Sequence, residues 1–258
     1  MCNFISAIVM RNGDILCDPE HTDSHEHLIL AHNIRDTRAQ VDRFVRIEYT
    51  PDALCENWTL SVDEQSTPDW FDVKEVEGRM SAIVRRMIID GEERQLLLGG
   101  CHILKNAKVG SVVNARIVVM HGSSRVCSLY GSSRVDSLHG SSQVGYLYDS
   151  SQVGDLCDSS RVGNLYDSSR VGSLCDSSQV GNLYGSSQVG YLHGSSQVGY
   201  LHDSSQVGNL HGSSQVDSLY DSSRVGSLCD SSRVDSLYGS SQVGSLHDSS
   251  QIVNDVRS

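Results

Sequence analysis

Long apolar runs are missing from this chain. No segment of its 258 residues approaches the roughly 20 apolar residues that a membrane-crossing helix needs, so no membrane span is expected. The beginning, MCNFISAIVM, has neither a basic leader nor a small-residue cleavage site, which sets the expectation of a cytoplasmic protein. Paired cysteine motifs are absent too. The eight cysteines (Cys2, Cys17, Cys55, Cys101, Cys127, Cys157, Cys175, Cys229) form no CxxC pair and are expected to be reduced thiols. There is no basic surplus either: the net charge is −12, which disfavours direct nucleic-acid binding and leaves a protein as the expected partner. Glu and Lys vanish after Gly122, where 13 Asp and 7 Arg give −6; the remainder, 19 acids against 13 bases, gives −6 again. Only 3 Pro and 3 Phe stand against 10 Tyr and 23 Gly, a composition that points to a repeat array.

The repeat is plain from Gly122 onward. GSSRVCSLY, GSSRVDSLH, GSSQVGYLY and DSSQVGDLC open a run of fifteen nine-residue units, the last of them (Asp248 to Ser258) degenerate. The fifth position is Val fourteen times and Ile252 once, and the eighth is Leu in every unit but the last, so these columns are the expected core. The second and third positions are always Ser, the fourth is Gln or Arg, and the sixth is mostly Gly. Two apolar residues in nine trace no helical stripe, and glycine with paired serine at this density would unravel a helix. Short strands joined by turns fit instead. In the unit starting at Gly140, Ser142 and Val144 share one face, and a bend near Gly145 returns Leu147 to it.

The ninth position sets the number of units per coil. In odd units, counted from Gly122, it holds Tyr130, Tyr148, Tyr166, Tyr184, His202, Tyr220 and Tyr238; in even units, His139, Cys157, Cys175, His193, His211, Cys229 and His247. An alternation of period eighteen implies that each unit stacks on the next but one, two nonapeptides to a coil. At about 4.8 Å per coil the rod is on the order of 40 Å long, with a tyrosine ladder on one face and a His/Cys ladder on the other. Codons for Tyr, His and Cys lie one base apart, so duplication of an eighteen-residue unit followed by drift also accounts for the identities, and it leaves the stacking intact. Asn106 to Val113 and Asn114 to His121 match SSRVCSLY with the first position dropped, which adds an earlier, rougher coil. Their Asn-Ala-Lys-Val and Asn-Ala-Arg-Ile resemble the units of hexapeptide left-handed β-helices. At the far end Asp255 replaces Leu, a charge in a core column that closes the stack.

Residues 1–100 show no repeat. Phe4 to Met10 reads as a strand, Arg11 to Asp14 as a hairpin turn and Ile15 to Cys17 as the return strand. Asp23 or Ser24 caps a short helix, Arg43 to Tyr49 and Trp58 to Val62 are further strands, and a helix runs from about Pro68 to Met87. Arg94 to Leu98 is the expected last strand of this domain. The predicted fold class is therefore mainly β: a small α+β N-terminal capping domain over 1–100 and a parallel β-solenoid over 101–258, two nonapeptides to each eighteen-residue coil.

Candidate sites are sparse. Cys17, His21, Asp23, His25, Glu26 and His27 form the densest set of potential ligands, and His21, His25 and His27 are the metal candidates; an exposed polar helix start accounts for the same residues, and there is no HExxH spacing. Cys157 with Cys175, and His193 with His211, are neighbours on successive coils, stacks able to chelate a soft or borderline metal, although a half-buried spacer column is the simpler account. Calcium is not expected, because the units lack paired glycines and seven of the fifteen lack Asp at the first position. No cofactor is expected, and no unique nucleophile stands out among the recurring Ser, His and Asp. The expected binding surface is the pair of ladders, Tyr130, Tyr148, Tyr166, Tyr184, Tyr220 and Tyr238 with His139, His193, His211 and His247.

FISAIVMRNGDIL, RFVRIEYTP, LSVDEQSTPDWFD and LLLGGCHIL are similar to the amino-terminal region of uncharacterised phage and prophage-type proteins, in which such a domain precedes short repeats. The resemblance implies a phage or mobile-element setting and carries no activity or site residues. A non-enzymatic solenoid presenting a repetitive polar surface to a protein partner is the leading expectation. Its alternatives are an acidic DNA-mimic inhibitor of a DNA-handling protein, which a resemblance to pentapeptide-repeat solenoids implies, and a small metal-dependent enzyme in the N-terminal domain with the solenoid as its handle.

Overall fold

A computed structural model describes residues 5–18, 24–34, 43–52, 55–64 and 66–257. Two compact units divide between Ile88 and Ile89. In the first, β1 (Ile5–Met10), β2 (Ile15–Cys17), β3 (Phe44–Pro51) and β4 (Trp58–Val62) form an antiparallel sheet in the order β2-β1-β3-β4. The β1–β2 turn is made by Arg11 to Asp14, where Gly13 takes a φ of +91° and Asn12 Oδ1 accepts the Asp14 N–H. Helix α1 (His25–Ala31) is capped by the Ser24 hydroxyl and buries Leu28 against Ile8 and Phe44. Helix α2 (Val73–Met87) is capped by Asp72, which accepts the N–H groups of Lys74 and Glu75, and it buries one stripe of Val76, Met80, Val84 and Met87.

The second unit is a parallel β-solenoid. Among its described residues, every unit from Gly122 contributes one strand over positions four to eight, extended to Tyr130 in the first unit, and odd and even units build two separate ten-stranded sheets. Register is strict at eighteen residues: Val126 faces Val144 and Leu129 faces Leu147, then Val144 faces Val162 and Leu147 faces Leu165. The expected rougher coil is present, with Val126 on Val109 and Leu129 on Val112 in one sheet, and Val135 on Ile117 in the other. The solenoid also starts earlier than the repeats announce. β5 (Ile88–Asp90) and β7 (Cys101–Lys105) lead the even sheet, and β6 (Glu93–Leu98) leads the odd one. The strand around Arg94 to Leu98, expected to close the first domain, therefore belongs to the solenoid, because Leu97 enters the column of Val112 and Leu129.

Three features of the unit explain its columns. Val and Leu are three apart yet both buried, which simple alternation along a strand does not allow. The ladder accordingly passes from the fifth to the seventh residue without pairing the sixth, as at Gly145, and the backbone turns there. Glycine serves a second purpose at this position: a Cβ on Gly163 would lie 2.3 Å from the Gly145 carbonyl oxygen of the coil below. Next, the first position is left-handed throughout, with φ of 60° to 70° where it is Gly and 56° to 60° where it is Asp, conformations that other side chains seldom adopt. Asn106 and Asn114 take φ of 50° and 51° and fill the same role in the shorter turns of the rougher coil.

The third feature is a column of serines inside the rod. Ser142, Ser178 and Ser214 are 0% exposed. In units one, two, twelve and thirteen the hydroxyl donates to the carbonyl three residues back, as from Ser124 to His121 at 2.8 Å and from Ser232 to Cys229 at 2.7 Å. Between Ser142 and Ser214 the hydroxyls have no such partner. The rougher coil places Ala107 and Ala115 in this column, so the fold asks for a small side chain there and not for an oxygen. Ser178→Ala is thus expected to change stability by less than about 1 kcal/mol, whereas Gly163→Ala, which meets backbone, costs about 1–3 kcal/mol. Chemical denaturation of the full chain measures both.

Candidate functional site

The outer face of the odd sheet carries a lengthwise groove of about 570 Å³. Its floor is the sixth column, in which Gly145, Gly163, Gly181 and Gly199 leave backbone uncovered, and it is bounded at the ends by Cys127 and Asp217. One wall is the fourth column, Arg125, Gln143, Arg161, Gln179 and Gln197, and Tyr146 stands on the other side. Six strands at about 4.8 Å make the groove about 24 Å long. The missing Cβ atoms that let coils stack closely thus also leave an open channel whose backbone floor lies between the Gln/Arg column and Tyr146.

Beside this groove runs the tyrosine ladder. Tyr130, Tyr148, Tyr166, Tyr184, His202, Tyr220 and Tyr238 form one unbroken stack, with ring centroids 4.8 to 5.2 Å apart and planes within 4° to 8° of parallel. That spacing is the strand repeat, wider than ring contact alone would choose. The rings sit at or just after the end of each strand, so both ladders run along the corners of the rod rather than across its faces. Their planes are spent on one another, and most are half-buried. The more open aromatics are ones that the ninth column does not include: Tyr146, Tyr191 and Tyr200, 41% to 48% exposed, in the seventh column. Tyr146 leans on Tyr148 and Tyr166, and Tyr200 on His202 and Tyr220.

On the opposite corner, His193 stacks on His211 at 5.1 Å. His139 lies 3.8 Å from Asp158 and His211 4.0 Å from Asp230, while His247 is exposed near the end of the stack. Cys157 and Cys175 meet as expected. Burial first, then the neighbouring Cys175 and the carboxylates of Asp155, Asp176 and Asp158, push the Cys157 thiol up to about 12. Cys175 is raised by burial and by Asp155 and Asp176 as well. A pair held in the thiol form is a weak nucleophile and a weak metal ligand at neutral pH.

The acidic first column is tied into the backbone. All eight of its aspartates, from Asp149 to Asp248, accept the N–H of the residue eighteen positions earlier at 2.7 to 3.3 Å through Oδ2. In the first unit, His21 lies outside the described residues, and the structure does not unite His25 with His27. His27 is exposed on α1, whereas His25 turns inward to the Ile47 carbonyl, 2.8 Å away, and to Asp63. No family model, curated protein or solved structure matches the chain. Among the described residues, no helix is long and apolar enough to cross a membrane.

Two outcomes follow from this geometry. Iodoacetamide at neutral pH is expected to modify the exposed Cys127 well before Cys157 or Cys175, and peptide mass mapping over time measures the order. At the end of the groove, burial and the stacked carboxyl of Asp235 raise the Asp217 pKa above its ordinary 3.8, and Arg233 offsets part of the rise. A raised carboxyl favours the fold at pH below its unfolded value and loses that contribution as pH climbs through the folded value. Asp217→Asn is therefore expected to raise the melting temperature at pH 7 and to leave it unchanged below about pH 3.

Proposed function

We propose that this protein is a non-enzymatic scaffold whose solenoid holds an extended segment of a protein partner along the odd-sheet groove. The observation that carries this reading is the groove itself, an open backbone floor between a Gln/Arg row and Tyr146 on a rod whose interior hardly varies. Amide side chains and arginines in a row suit a polypeptide, whose carbonyls, N–H groups and acidic side chains they satisfy, and tyrosine beside them supplies rigid contact area. The fixed interior supports the same reading: Val, Leu and Ser hold the shape while the fourth and seventh columns vary. The likeness of the first hundred residues to phage and prophage-type proteins supports a setting in the cytoplasm of a bacterial host cell. Phosphate mimicry is disfavoured by the fourth-column arginines, which offset much of the charge of the Asp column, and by the fact that each first-column carboxylate spends Oδ2 on a backbone N–H.

Two matched variants test the proposal. Arg125→Ala/Tyr146→Ala/Arg161→Ala alters the groove, and Arg170→Ala/Tyr191→Ala/Arg224→Ala makes equivalent changes on the even sheet. Cross-linked capture from host lysate with the full chain is expected to recover a protein that the groove variant loses at least about tenfold and the even-sheet variant keeps. Equal recovery by both variants, or no enrichment over a chain carrying all six changes, rejects the groove as the binding surface.

A further inference from the structure

We propose that the first unit binds a divalent first-row cation, zinc above all, through His25, Glu48 and Asp63. The proposal concerns a separate unit and does not depend on the groove. The three residues come from the first turn of α1, the middle of β3 and the position just after β4, and one ligand atom from each lies within 4.8 Å of the others.

The imidazole is already oriented for the task. A backbone carbonyl only accepts, so His25 Nε2 donates to Ile47 O at 2.8 Å, and in the neutral ring the Nδ1 lone pair then faces Asp63 Oδ2 at 3.1 Å. A ring whose far N–H is pinned by a carbonyl is the usual outer support of a metal-bound histidine. Two acceptors this close need positive charge between them. A proton on Nδ1 supplies one unit against the two carboxylates of Asp63 and Glu48, whereas a divalent ion beside a neutral ring balances both. One imidazole and two carboxylates suit zinc, which accepts nitrogen and oxygen donors in a four-coordinate shell. The His25 side chain is 12% exposed and that of Asp63 37%, so the site opens on one side, where water completes the shell.

The ion has a structural task here. α1 has seven residues, too few to persist by its own hydrogen bonds, and Leu28 is its one buried side chain. Coordination through His25 clamps the start of this helix to β3 and to the end of β4. Sequence spacing suggested His21 and His27 as companions of His25; the ligands instead come from 23 and 38 residues further along the chain.

The test uses the full chain purified without a histidine tag, in a Cys157→Ser/Cys175→Ser background that removes the thiol pair. Zinc is titrated against a weak chromophoric chelator. One zinc per chain is expected, with affinity at least about tenfold lower in Asp63→Asn and in Glu48→Gln and unchanged in His27→Ala. Stripping the zinc should also lower the unfolding midpoint of the parent and leave that of Asp63→Asn where it was. Zinc binding that survives both Asp63→Asn and His25→Ala overturns the proposal, as does a parent that takes up no zinc.

Discussion

Every feature of the solenoid depends on one constraint: strands eighteen residues apart hydrogen-bond in register, so each side chain lies about 4.8 Å from its own counterpart in the next coil. Inside the rod this is favourable without further adjustment. Val packs on Val and Leu on Leu, both fully or almost fully buried, and each contributes roughly 1.5–3 kcal/mol of transfer free energy before the cost of ordering the chain. The same repetition propagates every local difficulty. A turn that needs a left-handed residue needs one in every unit, and the first column accordingly contains only Gly and Asp, with Asn in the two earlier turns.

Self-contact then decides which residues the surface accepts. Stacked carboxylates repel, and the first column tolerates them because each captures a backbone N–H of the coil below, which spreads its charge into the hydrogen-bonded ladder. Where that bond is missing the carboxyl pKa rises, as at Asp217, through burial first and the neighbouring carboxyl of Asp235 second. Asp136 escapes in a third way, held at 2.7 Å by Arg116 of the coil below and also paired with Arg134 of its own strand. Neutral side chains that stack on themselves, Ser, Gln, Tyr and His, need no such device. The absence of Lys and Glu from Gly122 onward fits the same rule, since long charged side chains in register would repel with no backbone group in reach.

Much of this was legible because it repeats. The period of nine, the Val and Leu columns, and the two-unit coil inferred from alternating Tyr130, His139, Tyr148 and Cys157 all correspond to observed pairings. The strands at Ile88–Asp90, Glu93–Leu98 and Cys101–Lys105 were less visible, since Arg94 occupies a valine column and nothing recurs at a fixed interval. Of the surface features, the tyrosine stack announced itself through the ninth column. The groove did not, because its floor consists of side chains that are absent, and the sixth-column glycines carry a bend and a close approach that already explain them. The His25, Glu48 and Asp63 cluster was hidden for a different reason. Antiparallel pairing of β3 with β4 and the docking of α1 create it, and sequence proximity of histidines points elsewhere.

The constraint that builds the rod also endangers it, because a terminal coil offers unpaired strand edges and an open core to any similar coil. The odd sheet meets this at both ends with charge in a core column. Arg94 stands where later coils have Val109 and Val126, paired with Glu92 at 2.8 Å, and Asp255 stands where Leu237 precedes it. The Arg257 guanidinium, hydrogen-bonded to Asp255, holds that carboxyl down at about 2, so it stays ionised wherever the protein is folded near neutral pH. Adding a further coil in register would set an apolar column against this ion pair and strip water from it, a cost that the few new backbone hydrogen bonds do not offset. Val243 and Ile252, only partly buried, mark where the apolar stack thins toward this end. The same column logic that sets the interior thus also marks the first and last described strands of the odd sheet, where Arg94 and Asp255 put a charge in a column that is otherwise apolar.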